Sequence, residues 1–205
     1  MSIPYRAAFQ FLASRWSNEL IVTSAGNSSQ MWWEVTHDAD RVFYLDASMS
    51  LSTLLGSGVA YGIPEAKVWA FMGDGAFAMN PGMLMVERDL DLPNLTHVLV
   101  SNRVYGGTSD LDLPNKSAND YVAMAKSMGL TRIWSFETMN ELENGFDEAF
   151  RGNADGHRFV VLEVDPFTSA DHEIEEPPMD GPEIKFRFGR YIEKTYGARV
   201  FTGQF

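Results

Sequence analysis

The sequence predicts an α/β fold: a doubly wound, mostly parallel six-stranded sheet with helices on both faces. Three observations predict it. Six short runs rich in apolar and β-branched residues alternate with segments of helical periodicity. Two of the runs, VWAFM (68–72) and HVLVS (97–101), read as strands of the buried type. No internal repeat or linker divides the 205 residues, so residues 1–205 are expected to form a single domain, with 165–205 as an acidic tail and C-terminal helix.

The elements follow in order. Tyr5, Ala8, Phe9, Leu12, Ala13 and Trp16 recur at helical spacing and predict an amphipathic helix over 4–16. ELIVTS (19–24) reads as a strand and AGNSSQ (25–30) as a turn of small and polar residues. MWWEV (31–35) continues a helix whose first turn includes Ser28 and Ser29. RVFYLD (41–46) is the second strand. ASMSLSTLLGSGVAYG (47–62) is a helix rich in small residues, which allow close approach to a ligand or a neighbouring helix. VWAFM runs straight into Gly73-Asp74-Gly75, and Asn80-Pro81 reads as an N-cap and first position for a helix over 81–90. HVLVS ends at Asn102 and opens a polar, Gly-rich loop, 102–119, too long to be a mere connector. A helix over 120–129 with Gly129 as C-cap, a strand over 131–136, a helix over 139–151, a strand over 158–164 and a helix over 183–196 complete the chain.

Composition narrows the function. Sixteen basic and 28 acidic residues give a net charge of −12, which argues against nucleic acid or an anionic membrane as partner. The absence of cysteine excludes disulfides, thiolate chemistry and Cys-ligated zinc. Arg6 and Arg15 interrupt the N-terminal region where a signal peptide would be apolar. No run approaches the roughly 18–20 apolar residues of a membrane span, so a cytoplasmic location is expected.

The two buried strands each deliver a hard oxygen, Asp74 or Asn102, to the carboxyl edge of the sheet, where open α/β sheets bind ligands. Asp-Gly alone is common turn chemistry. Here the two oxygens are 28 residues apart, room for one strand–helix–strand crossover that sets both tips near one ion. A carboxylate, an amide oxygen and Gly-rich turns are the parts that hold Mg²⁺ against a diphosphate. Neither G-x-G-x-x-G nor G-x-x-x-x-G-K-[ST] is present, so a Mg²⁺-dependent nucleotide-binding protein has only the GDG in its favour.

GDG, 25 residues, then Ser101-Asn102 resembles the thiamine diphosphate (ThDP) motif, GDG–spacer–NN, of the 2-oxo acid decarboxylase superfamily. ASMSLSTLLGSG (47–58) is similar to the family's GSMG-x-A helix start, and PPMDGPEIKFRF (177–188) points to the subgroup of sulfopyruvate decarboxylase β subunits and phosphonopyruvate decarboxylases. The resemblance implies a ThDP-binding fold. It implies that Asp74, the Asn102 side chain and the Val104 carbonyl bind Mg²⁺. Gly73, Gly75 and Ala76 would lie along the diphosphate, with Tyr105, Gly106 and Gly107 closing over it. Gly26, Asn27 and Ser28 would contact phosphate or aminopyrimidine. Ala47, Ser48 and Met49 would lie under the bend of the cofactor, Met49 as the wedge and the Ala47 carbonyl as acceptor for the 4′-amino group. The chain departs from the pattern at Ser101, Ala47, Ser50 and Ala76, and its loop RVYGGTSDLDLP stands where relatives tend towards GAYGSTGGQ.

ThDP enzymes also need a glutamate at N1′ of the aminopyrimidine, supplied by a second domain of similar fold. No second set of six strands follows Val164, so the expectation is a hetero-oligomer with a separate pyrimidine-binding subunit carrying that glutamate, the alternative being a homo-oligomer that manages without it. The activity implied is decarboxylation of a small anionic 2-oxo acid to an aldehyde. Carboligation, or a non-catalytic ThDP-binding regulatory role, stays open. Arg103 and Lys116 either hold the anionic tail of the substrate or are solvated loop residues. His172 either donates a proton over the site or is tail. His37, His97 and His157 show no metal-ligand spacing, Asp171, Glu173, Glu175 and Glu176 read as solvated surface, and Trp32, Trp33 and Trp134 as core or interface anchors.

Overall fold

The six apolar runs become β1 (Leu20–Thr23), β2 (Val42–Tyr44), β3 (Val68–Gly73), β4 (Leu95–Ser101), β5 (Ile133–Phe136) and β6 (Arg158–Glu163). The computed structural model describes residues 2–45, 48–152, 155–171 and 174–201. Its strands lie in the order β2-β1-β3-β4-β6-β5, and every neighbouring pair is parallel. The α/β reading therefore holds, with the sheet wholly rather than mostly parallel. β3 and β4 are neighbours in a register that sets Gly73 opposite Val100, so both strands end at one place on the carboxyl edge.

Helices cover both faces: α1 (Tyr5–Arg15), α2 (Asn27–Thr36), α3 (Ser52–Gly62), α4 (Asp74–Met79), α5 (Met83–Leu90), α6 (Tyr121–Ser127), α7 (Met139–Phe146) and α8 (Gly181–Tyr196). Alternation along β3 divides the core. Trp69 and Phe71 pack with Phe9, Leu12, Trp32 and Phe146 of α1, α2 and α7, whereas Val68 and Ala70 pack with Ala60 of α3 and Phe188 and Ile192 of α8. Trp32 and Trp33 are buried and Trp134 packs against the same cluster, so these three are core anchors. Among the described residues no helix is long and apolar enough to cross a membrane.

Four of the boundaries that differ from expectation bear on the site and its packing. The turn over 25–30 shrinks to Ala25-Gly26, because Gly26, at φ 90°, reverses the chain sharply and α2 starts at Asn27. The small-residue helix starts at Ser52 rather than 47, after Ser50 adopts a left-handed φ of 69°; Asp46 and Ala47 lie outside the described residues. A Cβ at Gly56 would sit 2.8 Å from the Cβ of Ala70, so the small residues of α3 serve close packing on β3. The GDG turn is the first turn of α4. Asn80 closes that helix, its N–H donating to the Phe77 carbonyl at 3.0 Å, and α5 begins only at Met83. The helix over 139–151 ends as a π-helical turn, Asp147–Arg151, in which Phe146 and Phe150 stack 4.9 Å apart.

Candidate functional site

A cavity of about 320 Å³ lies at the carboxyl edge of β1, β3 and β4. Gly26, Asn27 and Ser28 reach it from the start of α2, Gly73, Asp74, Gly75 and Ala76 from the junction of β3 and α4, and Met49 from the segment before α3. Asn102, Val104, Tyr105, Gly106 and Gly107 line it from the loop after β4. Ser48 does not line it, and Ala47 lies outside the described residues. The cavity also takes in Tyr5, Ala25, Val100 and Thr108, which the motifs did not indicate. Tyr5 comes from the first turn of α1, and no local pattern announces that this turn reaches the sheet edge.

Asp74 is the hub. Its carboxylate is buried, Oδ1 accepts from its neighbour Gly75 N–H at 2.9 Å, and Oδ2 accepts from Arg103 N–H at 2.8 Å and Ser101 Oγ at 3.2 Å. Burial pushes its pKa up to about 6, while these hydrogen bonds pull in the other direction. Ser101, the departure from NN, is thus a support for the carboxylate and not a neutral replacement. Asn102 is also buried, and its Oδ1 accepts from Val104 N–H at 3.2 Å, which fixes the amide against the backbone carrying the Val104 carbonyl.

The long loop is folded on itself. Tyr105 N–H donates to the Leu111 carbonyl at 2.8 Å and Leu113 N–H to the Arg103 carbonyl at 3.0 Å. Arg103, at a left-handed φ of 64°, directs its guanidinium away from the cavity. It pairs with Glu163, donates to the carbonyls of Lys116 and Asn119 at 2.8 and 2.9 Å, and lies over the Tyr121 ring. Lys116 pairs with Asp112. Neither cation lines the cavity: Arg103 clasps the loop, and Lys116 is paired within it.

On the opposite wall, the N-terminus of the ten-residue α2 faces the cavity with Asn27 and Ser28, a setting that favours an anion. Asn27 Nδ2 donates to the Phe167 carbonyl at 3.2 Å, and its buried Oδ1 has no protein partner. The segment after β6 is held close here. A Cβ at Gly106 would lie 1.7 Å from the Phe167 carbonyl oxygen, so only glycine fits. One buried carboxylate, an amide oxygen and a nearby carbonyl are hard donors of the kind Mg²⁺ takes, and an unpaired helix terminus faces them.

A family model for the thiamine pyrophosphate enzyme, C-terminal TPP binding domain, matches residues 25–164. The chain belongs to this family. Its cofactor is therefore thiamine diphosphate, and the cavity lies wholly within the matched segment apart from Tyr5. The chain is 29% identical to sulfopyruvate decarboxylase subunit beta of Methanocaldococcus jannaschii over 86% of its length and 90% of the relative's. It is 28% identical to the subunit of that name from Methanococcus maripaludis over 87% of its length and 91% of the relative's. The counterpart in Methanothermobacter thermautotrophicus is 29% identical over 88% of this chain and 89% of that one. Among solved structures, a protein of Mycobacterium smegmatis assigned as thiamin diphosphate-dependent superposes with a TM-score of 0.65 at 22% identity, covering 80% of this chain and 32% of that chain. That likeness shows the fold.

The remaining candidates disperse. His37 lies near Glu175, Glu176 accepts from Gln30, and Asp171 accepts from Thr168, so these acids do not converge on a site. His172 and Glu173 lie outside the described residues. His97 and His157, unrelated by spacing, are brought together against Glu87 inside the protein.

Proposed function

We propose that the chain, as a ThDP diphosphate-binding domain over 1–205, is the β-type subunit of a cytoplasmic, ThDP- and Mg²⁺-dependent 2-oxo acid decarboxylase. Its substrate is a small anionic 2-oxo acid of the sulfopyruvate or phosphonopyruvate kind, the first being the one in the names of its relatives. The observation that carries the reading is the buried Asp74 carboxylate, held by Gly75, Ser101 and Arg103 beside Asn102 where β3 and β4 end together.

The residues present fit the cofactor. Asp74, Asn102 and the Val104 carbonyl would hold Mg²⁺, and the α2 N-terminus with Ser28 would face the diphosphate. Gly73, Gly75, Ala76, Gly106 and Gly107 present backbone and little side chain to that end, and the unpartnered Asn27 Oδ1 is an acceptor for a cofactor N–H. Met49 lines the cavity, where it would serve as the apolar wedge. When bound, ThDP supplies the electron sink for loss of CO₂ from a 2-oxo acid. The chain's own contribution is to bind, orient and desolvate. Among the described residues lining the cavity, Asp74 is the only acid, and the cation would occupy it. The glutamate that activates the aminopyrimidine is therefore assigned to a partner subunit, in keeping with the "subunit beta" in the relatives' names.

The test is co-expression with the pyrimidine-domain partner, followed by CO₂ release from a panel of 2-oxo acids with ThDP and Mg²⁺ present. Turnover that needs both chains and favours sulfonated or phosphonated substrates is the expected result. Tight ThDP binding without turnover on any 2-oxo acid would replace the decarboxylase by a regulatory subunit.

A further inference from the structure

Away from the cofactor cavity, three ligand-type side chains meet inside the protein: Glu87 of α5, His97 of β4 and His157 from the turn before β6. All three side chains are fully buried. Glu87 Oε2 lies 3.0 Å from His97 Nδ1 and 2.9 Å from His157 Nε2, and one ligand atom from each residue falls within 4.8 Å of the others. His97 is five residues before Asn102 along the strand direction, or roughly 16 Å at about 3.3 Å per residue, so the cluster is far from the expected Mg²⁺ position.

Protein hydrogen bonds do not account for this cluster. His97 Nδ1 is aligned with the carboxylate, but His157 Nε2, although close, has no hydrogen-bond geometry to it. Glu87 Oε1, His97 Nε2 and His157 Nδ1 also lack partners. Buried polar atoms in native proteins are rarely left so. The result is a carboxylate oxygen with two ring nitrogens converging on it inside the protein.

We propose that Glu87, His97 and His157 form a structural binding site for a zinc-class divalent cation, distinct from the Mg²⁺ of the cofactor. Two imidazoles and a carboxylate are three of the four ligands zinc takes, a water completing the shell, and imidazole disfavours Mg²⁺. Small side-chain shifts bring the three atoms to the roughly 2.0–2.2 Å that zinc requires. The ion ties α5 and the turn at His157 to the central strand β4. The neighbouring Asp91, which accepts from the His157 backbone N–H at 3.0 Å, holds that turn in place. The inference does not rest on the decarboxylase reading.

The full chain is dialysed against chelator-treated buffer, given Zn²⁺ alone, and analysed for retained metal, melting temperature and zinc X-ray absorption. About one equivalent of zinc per chain is expected, with an imidazole-containing shell at about 2.0–2.1 Å and a raised melting temperature. Asp74→Ala should keep it, whereas Glu87→Gln and His157→Gln should each lose it. Zinc retained equally in both of those variants, an oxygen-only shell in the wild type, or no retained zinc and an unchanged melting temperature would overturn the site. Because the absorption spectrum is read on wild-type protein, misfolding of a variant does not blunt the test.

Discussion

The Ser101 hydroxyl donates to Asp74 Oδ2 at 3.2 Å, across from the Arg103 N–H that donates to the same oxygen at 2.8 Å. The residue that departs from the family's asparagine pair thus orients the carboxylate on which the cofactor reading depends. Ser101→Ala leaves the fold intact and removes one support. Loss of such an outer contact weakens metal-site affinity by about 10–100-fold. Titration of ThDP in the presence of Mg²⁺ should show a drop in that range, with an unchanged melting temperature for the apo-protein.

Gly106 has no room for a side chain. Alanine there drives its methyl into the Phe167 carbonyl, which also accepts from Asn27. Gly106→Ala should cost about 1–3 kcal/mol of stability and displace the segment after β6 from the cavity wall. Chemical denaturation measures the first effect, and a weakened cofactor affinity reports the second.

Asp74 makes the protein sensitive to pH. Its pKa rises from 3.8 to about 6 on folding, so the native state holds its proton more tightly than the unfolded chain. Stability of the apo-protein from this group is therefore full below 3.8 and is lost as pH rises through about 6. A cation needs the ionised form, so Mg²⁺-dependent ThDP binding should strengthen from pH 5 towards 7 and level off above. In Asp74→Asn this slope should flatten to that left by the diphosphate's own ionisation at about pH 6; a wild-type slope no steeper than the variant's would contradict the assignment.

The Arg103 clasp is a test of the loop. Its guanidinium joins Glu163 to the carbonyls of Lys116 and Asn119. Arg103→Met leaves those acceptors without their donor and should cost about 1–2 kcal/mol. Limited proteolysis should then cut within 102–119 faster than in wild type.

The fold was legible because the buried strands are continuous apolar runs and because their spacing allows one helical crossover each. The same runs placed Asp74 and Asn102, since a strand's last residue marks the sheet edge. Helix starts were less legible. Asn80-Pro81 has good N-cap chemistry, yet the six-residue α4 claims Asn80 as its end. Tyr5 enters the site, and Phe167 and the Arg103–Glu163 pair brace its walls, through contacts between distant segments, which no local pattern encodes. The meeting of Glu87, His97 and His157 escaped for the same reason, since only the folded chain brings α5, β4 and the turn before β6 together there.

The central claim is that Asp74 and Asn102 hold ThDP through a divalent cation. Calorimetric titration of ThDP into the subunit complex, with Mg²⁺ and with chelator, tests it in wild type and in Asp74→Ala. Binding should need Mg²⁺ in the wild type and weaken by more than about 100-fold in the variant, beyond the effect of an outer contact. Equal affinity in the two proteins, or wild-type binding indifferent to chelator, would contradict it.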